Sequence, residues 1–216
     1  AINLIDAAKK NNVKNVIALS TDKACNPVNL YGATKLTSDK LFISSNEFKK
    51  NSTKFSVVRY GNVINSRGSV IPFFKSFPEG STIPITNKNM TRFMITLDDA
   101  VDLVYYSLKE MMGGEIFVRK APSINVLDIA KSIHKKIKIK IIGIRPGEKI
   151  HEEMINIDDS RNTYEYKNIF KILPELADKK VLKKMAKNGK KVKENFQYIS
   201  NQNKQWISSS KLKKIL

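Results

Sequence analysis

At 216 residues, with 41% hydrophobic and 27% charged side chains, the chain has the composition of a soluble globular protein, long enough for one good-sized core or two small interleaved ones. A formal charge of +19 raises nucleic acid as a partner, yet only six of the 39 basic residues are arginine, the better reader of base edges. The lysines are scattered without interleaved aromatics, so a lysine-rich solvated surface is expected instead, with no nucleic-acid partner. No run of eighteen apolar residues occurs, which argues against a membrane span, and the first residues lack the small-residue cleavage site of a signal peptide. The single cysteine, Cys25, excludes an internal disulfide and fits a reducing cytoplasm.

In chain order, Ala1 to Asn12 carries Ile2, Leu4, Ile5 and Ala8 on one side and reads as an amphipathic helix. Within Val13 to Ser20 the run Val16-Ile17-Ala18-Leu19 suits a buried parallel strand. Polar Thr21 to Asn29 follows. Tyr31 to Lys50 then reads as a long helix with Leu36, Leu41 and Phe48 among its apolar positions, and Phe55 to Tyr60 as a second strand. That rhythm argues for a parallel sheet with crossover helices. Past Gly61 to Gly68, expected as a loop, come a short helix over Ser69 to Phe77, a strand over Ile83 to Thr86 and a helix over Leu97 to Met111 opening with Asp98 and Asp99. Strands at Glu115 to Val118 and Lys138 to Gly143 flank a helix over Val126 to Lys136. From Ser160 onward the chain is polar and lysine-rich, with helices expected near Lys179 to Asn188 and at the end.

A doubly wound nucleotide-binding sheet opens with a strand and a glycine-rich turn, and no such G-x-x-G-x-x-G or G-x-G-x-x-G turn occurs here. With Ala1 already in a helical pattern, the fold reads as one entered partway through. The expected architecture is therefore α/β: a Rossmann-like doubly wound parallel sheet lacking its first strands, over 1–68, with a smaller interleaved substrate-binding part over 69–216 from which 96–120 returns to the sheet.

Tyr31-Gly32-Ala33-Thr34-Lys35 has Y-x-x-x-K spacing, which puts an ammonium beside a phenol on one helix face and favours the phenolate. Seven tyrosines among so many lysines produce about one such match by chance, and Tyr105…Lys109, inside an ordinary helix, is read as that one. Context separates the two: Tyr31 follows the loop Ser20-Thr21-Asp22-Lys23 at the carboxyl end of a parallel strand, where open α/β sheets hold ligands. Taken alone, Asp22 and Lys23 would be a surface turn with an N-cap, and Arg145-Pro146-Gly147-Glu148 a plain turn before a helix.

Ala18 to Ala24, Asn26-Pro27, Asn29 to Lys35, Arg59 to Val63, Ser66 to Pro72, Met90 to Phe93, Gly113 to Val118 and Ile144 to Lys149 together resemble the inverting UDP-N-acetylglucosamine 4,6-dehydratases of the extended short-chain dehydrogenase/reductase type. The resemblance covers most of residues 1 to about 160, with an echo at Gln205-Trp206. It implies that NADP takes hydride from carbon 4 of the sugar, with Tyr31 as base and Lys35 lowering its pKa and holding the nicotinamide ribose. Lys23 would then remove the carbon-5 proton, Asp22 help the carbon-6 hydroxyl leave, and Thr21 hydrogen-bond near the 4-oxygen. A lysine base needs a lowered pKa, for which Lys35 and the oxidised nicotinamide are the expected positive neighbours. By the same resemblance Val63, Ile64, Asn65, Ser66 and Arg67 run beneath the nicotinamide, while Asn62, Val70, Thr86, Arg145 and Glu148 contact the UDP-sugar. Asn65 and Met94 depart from the commoner residues, Asn65 in the cofactor loop itself.

Arg92 is read as either a second phosphate contact or a core-edge salt bridge. His134 and His151, on separate expected helices, lack metal-site spacing, and Cys25 is a small filler. The resemblance further implies a cytoplasmic homo-oligomer acting on UDP-N-acetylglucosamine, in routes to pseudaminic acid and related sugars. By itself the chain is expected to bind cofactor poorly. Two other readings remain: a related nucleotide-sugar epimerase or reductase, which shares Tyr31 and Lys35 but has no need of Asp22-Lys23, and a non-catalytic basic fragment binding nucleic acid or an acidic partner.

Overall fold

A computed structural model describes residues 1–47, 52–175 and 177–215. The chain runs α1 (Ile2–Lys10), β1 (Asn15–Thr21), a 3₁₀ turn (Asp22–Ala24), α2 (Leu30–Ser44), β2 (Lys54–Tyr60), β3 (Asn62–Val63), α3 (Val70–Lys75), β4 (Thr82–Ile85) and β5 (Thr91–Ile95). It continues through α4 (Leu97–Glu110), β6 (Ile116–Arg119), β7 (Ser123–Asn125), α5 (Val126–Ile133), β8 (Lys138–Ile141), β9 (Glu153–Ile155) and α6 (Ile157–Ser160). Last come β10 (Thr163–Glu165), β11 (Ile169–Ile172), α7 (Lys179–Met185), β12 (Lys190–Lys191), β13 (Tyr198–Ile199) and α8 (Ser209–Ile215). Phe48 and Lys50, expected near the end of α2, lie outside the described residues.

The parallel sheet is present. β1 pairs with β2 from Asn15↔Lys54 to Thr21↔Tyr60, and β2 pairs with β6 in the same direction. Five consecutive residues of β2, Phe55 to Arg59, are buried, as in a strand covered on both faces. Beyond β6 the sheet changes character: β11, β10 and β12 add on antiparallel, giving the order β1-β2-β6-β11-β10-β12. The polar reading of the chain after Ser160 missed these strands because Lys171 interrupts their apolar run. All four residues of β11 are nevertheless buried, and the Lys171 ammonium lies 4.9 Å from the Tyr166 ring centre and 5.3 Å from that of Phe117.

A second layer forms from β3, β5 and β7, with β3 parallel and β7 antiparallel to β5. β4 and β8 pair in parallel beside it. Ile71, Phe74, Ile83, Ile85, Met94, Ile129 and Leu212 make its core. The loop expected after Gly61 is thus partly strand, because Asn62 and Val63 pair with Met94 and Ile95. Two helix faces also differ from expectation. In α1, Ile5 and Ala8 are buried while Ile2 and Leu4 stay exposed. α2 buries Gly32, Asp39 and Phe42 rather than Leu36 and Leu41, because Asp39 faces Arg59 of β2 at 3.6 Å and accepts from Ser20 at 2.7 Å.

α4 opens with a capping box in which Thr96 and Asp99 each accept from the other's backbone N–H. Arg119 adds an ion pair to Asp99 at 2.7 Å. Burial works to raise the Asp99 pKa, but Thr96 and Arg119 outweigh it and hold the carboxyl below its ordinary value. A depressed folded pKa contributes stability that is present above the unfolded value of about 3.9 and is lost as pH falls through the folded one. Thr96→Ala is therefore expected to cost about 1 kcal/mol in urea unfolding at pH 7. The cost should shrink in acid, once Asp99 is protonated.

Candidate active site

β1 delivers Thr21 to the carboxyl end of the parallel strands, level with Tyr60 of β2. Thr21 caps the 3₁₀ turn that follows, accepting from Lys23 N at 3.4 Å and donating its hydroxyl to Asp22 Oδ1 at 3.0 Å. Asp22 is fully buried, and the same Oδ1 accepts from Lys23 Nζ at 3.0 Å, while Oδ2 has no partner. This turn packs directly on the first turn of α2. A Cβ at Gly32 would lie 2.4 Å from the Lys23 carbonyl oxygen and 2.9 Å from Pro27 Cβ, so only glycine allows that approach. Asn29 caps α2 by accepting from Gly32 N at 2.8 Å.

Tyr31 is 55% exposed on this first turn. Burial and then the Tyr31 hydroxyl push the Tyr60 pKa up, so the two phenols are neighbours. Lys35, one turn along, donates to Leu19 O at 2.7 Å, which fixes its ammonium to the end of β1. Val63 closes β3, and Ile64 to Arg67 follow it as a loop with Asn65 at φ 59°. Asparagine is among the residues that adopt this left-handed conformation, which gives Asn65 a backbone reason to stand there.

The five expected substrate contacts come together. Asn62, Val70, Thr86, Arg145 and Glu148 line one cleft of about 310 Å³ with Ser69 and Arg92. Asn62 Oδ1 and Ser69 Oγ are buried there without partners. A larger groove of about 580 Å³ runs between α2 and Leu173–Glu175, but it holds none of the candidate residues, so the smaller cleft is the candidate site. The turn carrying Arg145 and Glu148 is tied to the segment that enters α2: Asn29 Nδ2 donates to Gly147 O at 2.8 Å, and Lys149 Nζ donates to Cys25 O. Gly147 has φ +78°, and a Cβ there would meet Asn29 Cβ at 3.0 Å.

Of the two alternatives raised for Arg92, the salt bridge is present. The side chain lines the cleft, donates to the Thr91 and Ile150 carbonyls at 2.7 and 3.2 Å, and lies 3.5 Å from Glu152. Glu152, 2% exposed, is the residue that sequence reasoning missed: its Oε1 is also 3.8 Å from Lys23 Nζ. The available signal was the doublet Glu152-Glu153 running into the apolar Met154-Ile155, a pair of charges at the entrance to a buried strand.

Lys35 is not among the main charges that set the Lys23 pKa. Burial works to lower the Lys23 pKa, but the carboxylates of Asp22 and Glu152 outweigh it, and the net displacement is upward. The cation lowering it is Arg92, not Lys35. In this chain Lys23 is an ammonium ion within an ion-paired cluster.

His151 is not helical; it forms a parallel bridge to Thr91, with Nδ1 2.8 Å from the Thr91 hydroxyl. His134 ends α5 as its C-cap, with Nε2 2.8 Å from Phe74 O. Cys25 is buried, which pushes its thiol up to about 12, far from a reactive thiolate.

Residues 1–174 match the family model described as polysaccharide biosynthesis protein. Over the whole chain, 51% of residues are identical to a UDP-N-acetylglucosamine 4,6-dehydratase (inverting) of Campylobacter jejuni, covering 67% of that relative. A UDP-glucose 4-epimerase of Rickettsia canadensis is 38% identical over 89% of the chain and 58% of its own length. The solved structure of Pen from Bacillus thuringiensis superimposes with a TM-score of 0.86 at 38% identity, covering 99% of this chain and 65% of that one. The chain thus spans about two thirds of the length of these relatives, and less of the epimerase.

Proposed function

The chain belongs to the polysaccharide biosynthesis protein family, and from that premise we propose that the protein dehydrates UDP-N-acetylglucosamine to a UDP-4-keto-6-deoxy sugar with inversion at carbon 5. The observation that carries the reading is the Asp22–Lys23 ion pair packed beside Tyr31, next to a cleft that gathers all five expected sugar-nucleotide contacts. That cleft suits a polar, anionic ligand. Two buried polar atoms stand unpaired in it, where native structures pair nearly all. Arg145 and Arg92 supply positive charge for a diphosphate, and Glu148 a carboxylate for ribose hydroxyls.

The donor set also fits the ribose and nicotinamide end of a nicotinamide cofactor. An exposed phenol and an ammonium share one face of α2 at the ends of the strands, and the 63–67 loop starts from the adjoining β3. Tyr31, Lys35 and residues 63–67 would hold it, and we read it as NADP. When bound, it supplies a hydride acceptor at carbon 4 and returns that hydride to carbon 6.

What the chain itself does can be followed proton by proton. Tyr31 takes the proton of the 4-hydroxyl, with Thr21 as the nearby hydroxyl. Elimination then needs a neutral amine at Lys23 and a protonated acid at Asp22. The resting pair holds the opposite arrangement, so moving one proton along the 3.0 Å Nζ–Oδ1 bond converts it into base and acid. Lys23 accepts the carbon-5 proton, and Asp22 protonates the departing 6-hydroxyl; once hydride has reached carbon 6, a solvent-derived proton completes carbon 5 from the opposite face, which inverts that centre.

By resemblance to the relatives we further assign a cytoplasmic homo-oligomer serving bacterial surface-sugar synthesis of the pseudaminic acid kind. Similarity to a 4-epimerase keeps one other reading in play, epimerisation at carbon 4. Mass spectrometry decides between them, using UDP-N-acetylglucosamine incubated in heavy water with NADP and the full-length protein. A product lighter by one water with solvent deuterium at carbon 5 is expected; unchanged mass with altered carbon-4 configuration overturns dehydration.

A further inference from the structure

We propose that Glu152 is a positioning residue that joins the Asp22–Lys23 pair to Arg92 of the cleft and holds the Lys23 ammonium between two carboxylates. Its single oxygen Oε1 faces both cations, Lys23 Nζ at 3.8 Å and Arg92 Nε at 3.5 Å, whereas Oε2 is buried without a partner. A buried carboxylate with one oxygen unsatisfied is costly to keep. The fold gains little by it, because the backbone at this position is held independently of the carboxylate. Glu152 N donates to Ser200 Oγ at 2.9 Å, and Ser200 N donates to Glu152 O at 2.8 Å. Ser200 Oγ in turn lies 2.6 Å from the Thr91 hydroxyl, one residue from Arg92.

The charged groups facing Glu152 come from three elements: Asp22 and Lys23 on the 3₁₀ turn, Arg92 on β5, and Lys149 on the loop before β9. Lys149 spends its ammonium on Cys25 O, and His151 binds the Thr91 hydroxyl, so Lys23 and Arg92 are the cations that Oε1 reaches among the described residues. Without Glu152, Lys23 would keep, among the described residues, Asp22 on its own turn, and Arg92 the backbone carbonyls of Thr91 and Ile150. A sugar nucleotide bound by Arg92 would then no longer be coupled, through one shared oxygen, to the residue that takes its proton. The catalytic meaning of this coupling rests on the function proposed above; the coupling does not.

Its test therefore uses the chain without substrate. Competitive labelling of lysine amines with acetic anhydride across pH 7 to 11, read by peptide mass spectrometry, reports the titration of Lys23, with Lys120 as an internal standard. Glu152→Gln, nearly isosteric, is expected to make Lys23 about tenfold more reactive at a fixed pH below its midpoint, equivalent to a midpoint about one pH unit lower. Glu152→Asp keeps the charge and should retain most of the original profile. An unchanged Lys23 profile in Glu152→Gln overturns the inference, as does an equal shift in both variants, which would make the effect one of packing. Should Glu152→Gln fail to fold, Arg92→Gln carries the test: it must raise the Lys23 midpoint, and an unchanged or lowered one overturns the inference. Failure of dehydration in heavy water would leave these titrations untouched.

Discussion

Replacing Lys23 by methionine is expected to slow dehydration, and with it incorporation of solvent deuterium at carbon 5, by about 10²–10⁴-fold, the contribution of a positioned proton-transfer group. Tyr31 and Lys35 are untouched, so the reduced cofactor should still form and accumulate, visible in its absorbance. An epimerase has no use for this amine, and turnover of Lys23→Met at the unsubstituted rate would move the protein to that class. The substitution also leaves the fully buried Asp22 without its cation, with the Thr21 hydroxyl still donating to Oδ1. Adding Asp22→Asn should therefore recover stability without recovering activity, separating the chemistry of the pair from its packing.

Arg59→Met should produce the largest loss of stability. The guanidinium is 2% exposed, bonded to Asp159 Oδ2 at 2.9 Å and Met154 O at 2.8 Å, and lies 3.6 Å from Asp39. Removing one partner of a buried ion pair costs roughly 3–5 kcal/mol, which lowers Tm by on the order of 10 °C for a chain of this size. Burial already raises the Asp39 pKa, with Arg59 as the main counterweight. A carboxyl raised in the folded state favours folding in acid and loses that advantage as pH climbs through the folded value. The deficit of Arg59→Met should accordingly be larger at pH 8 than at pH 5 in urea unfolding. Equal deficits would show that Asp39 does not feel the charge.

The parallel core was legible because its physics is local: Val16 to Leu19 is an unbroken apolar run and Phe55 to Tyr60 a largely apolar, β-branched and aromatic one, separated by a helix-length segment. The cleft was legible only through resemblance, since Asn62, Val70, Thr86 and Arg145 lie far apart in sequence and no spacing rule brings them together. What escaped was everything set by tertiary pairing. β11 hides a buried lysine behind aromatic rings, β5 is defined by its partners β3 and β7, and the two-residue β3 exists only because it reaches Met94 and Ile95. Glu152 escaped for a related reason: its importance lies in what faces it, and a glutamate beside another glutamate reads as solvated surface. The expected influence of Lys35 on Lys23 was misjudged because the sign of a pKa displacement depends on which charges stand nearest. In the folded chain those are two carboxylates.

The seams holding the 22–29 loop have a bearing on how the chain is made. Asn26 is bonded to Glu153, Cys25 to Lys149, Asn29 to Gly147, and Lys23 faces Glu152, contacts spanning more than a hundred residues. A ribosome releases the tyrosine helix long before it releases the segment that fastens it. Until residues 147 to 159 emerge, the loop lacks its clamps and the buried Arg59 lacks Asp159. Assembly of the Asp22–Lys23–Glu152 cluster is thus one of the later events of synthesis, and contacts of such long sequence separation fold slowly. A nascent chain arrested before residue 147 should expose the loop to protease; one arrested well past residue 160 should protect it.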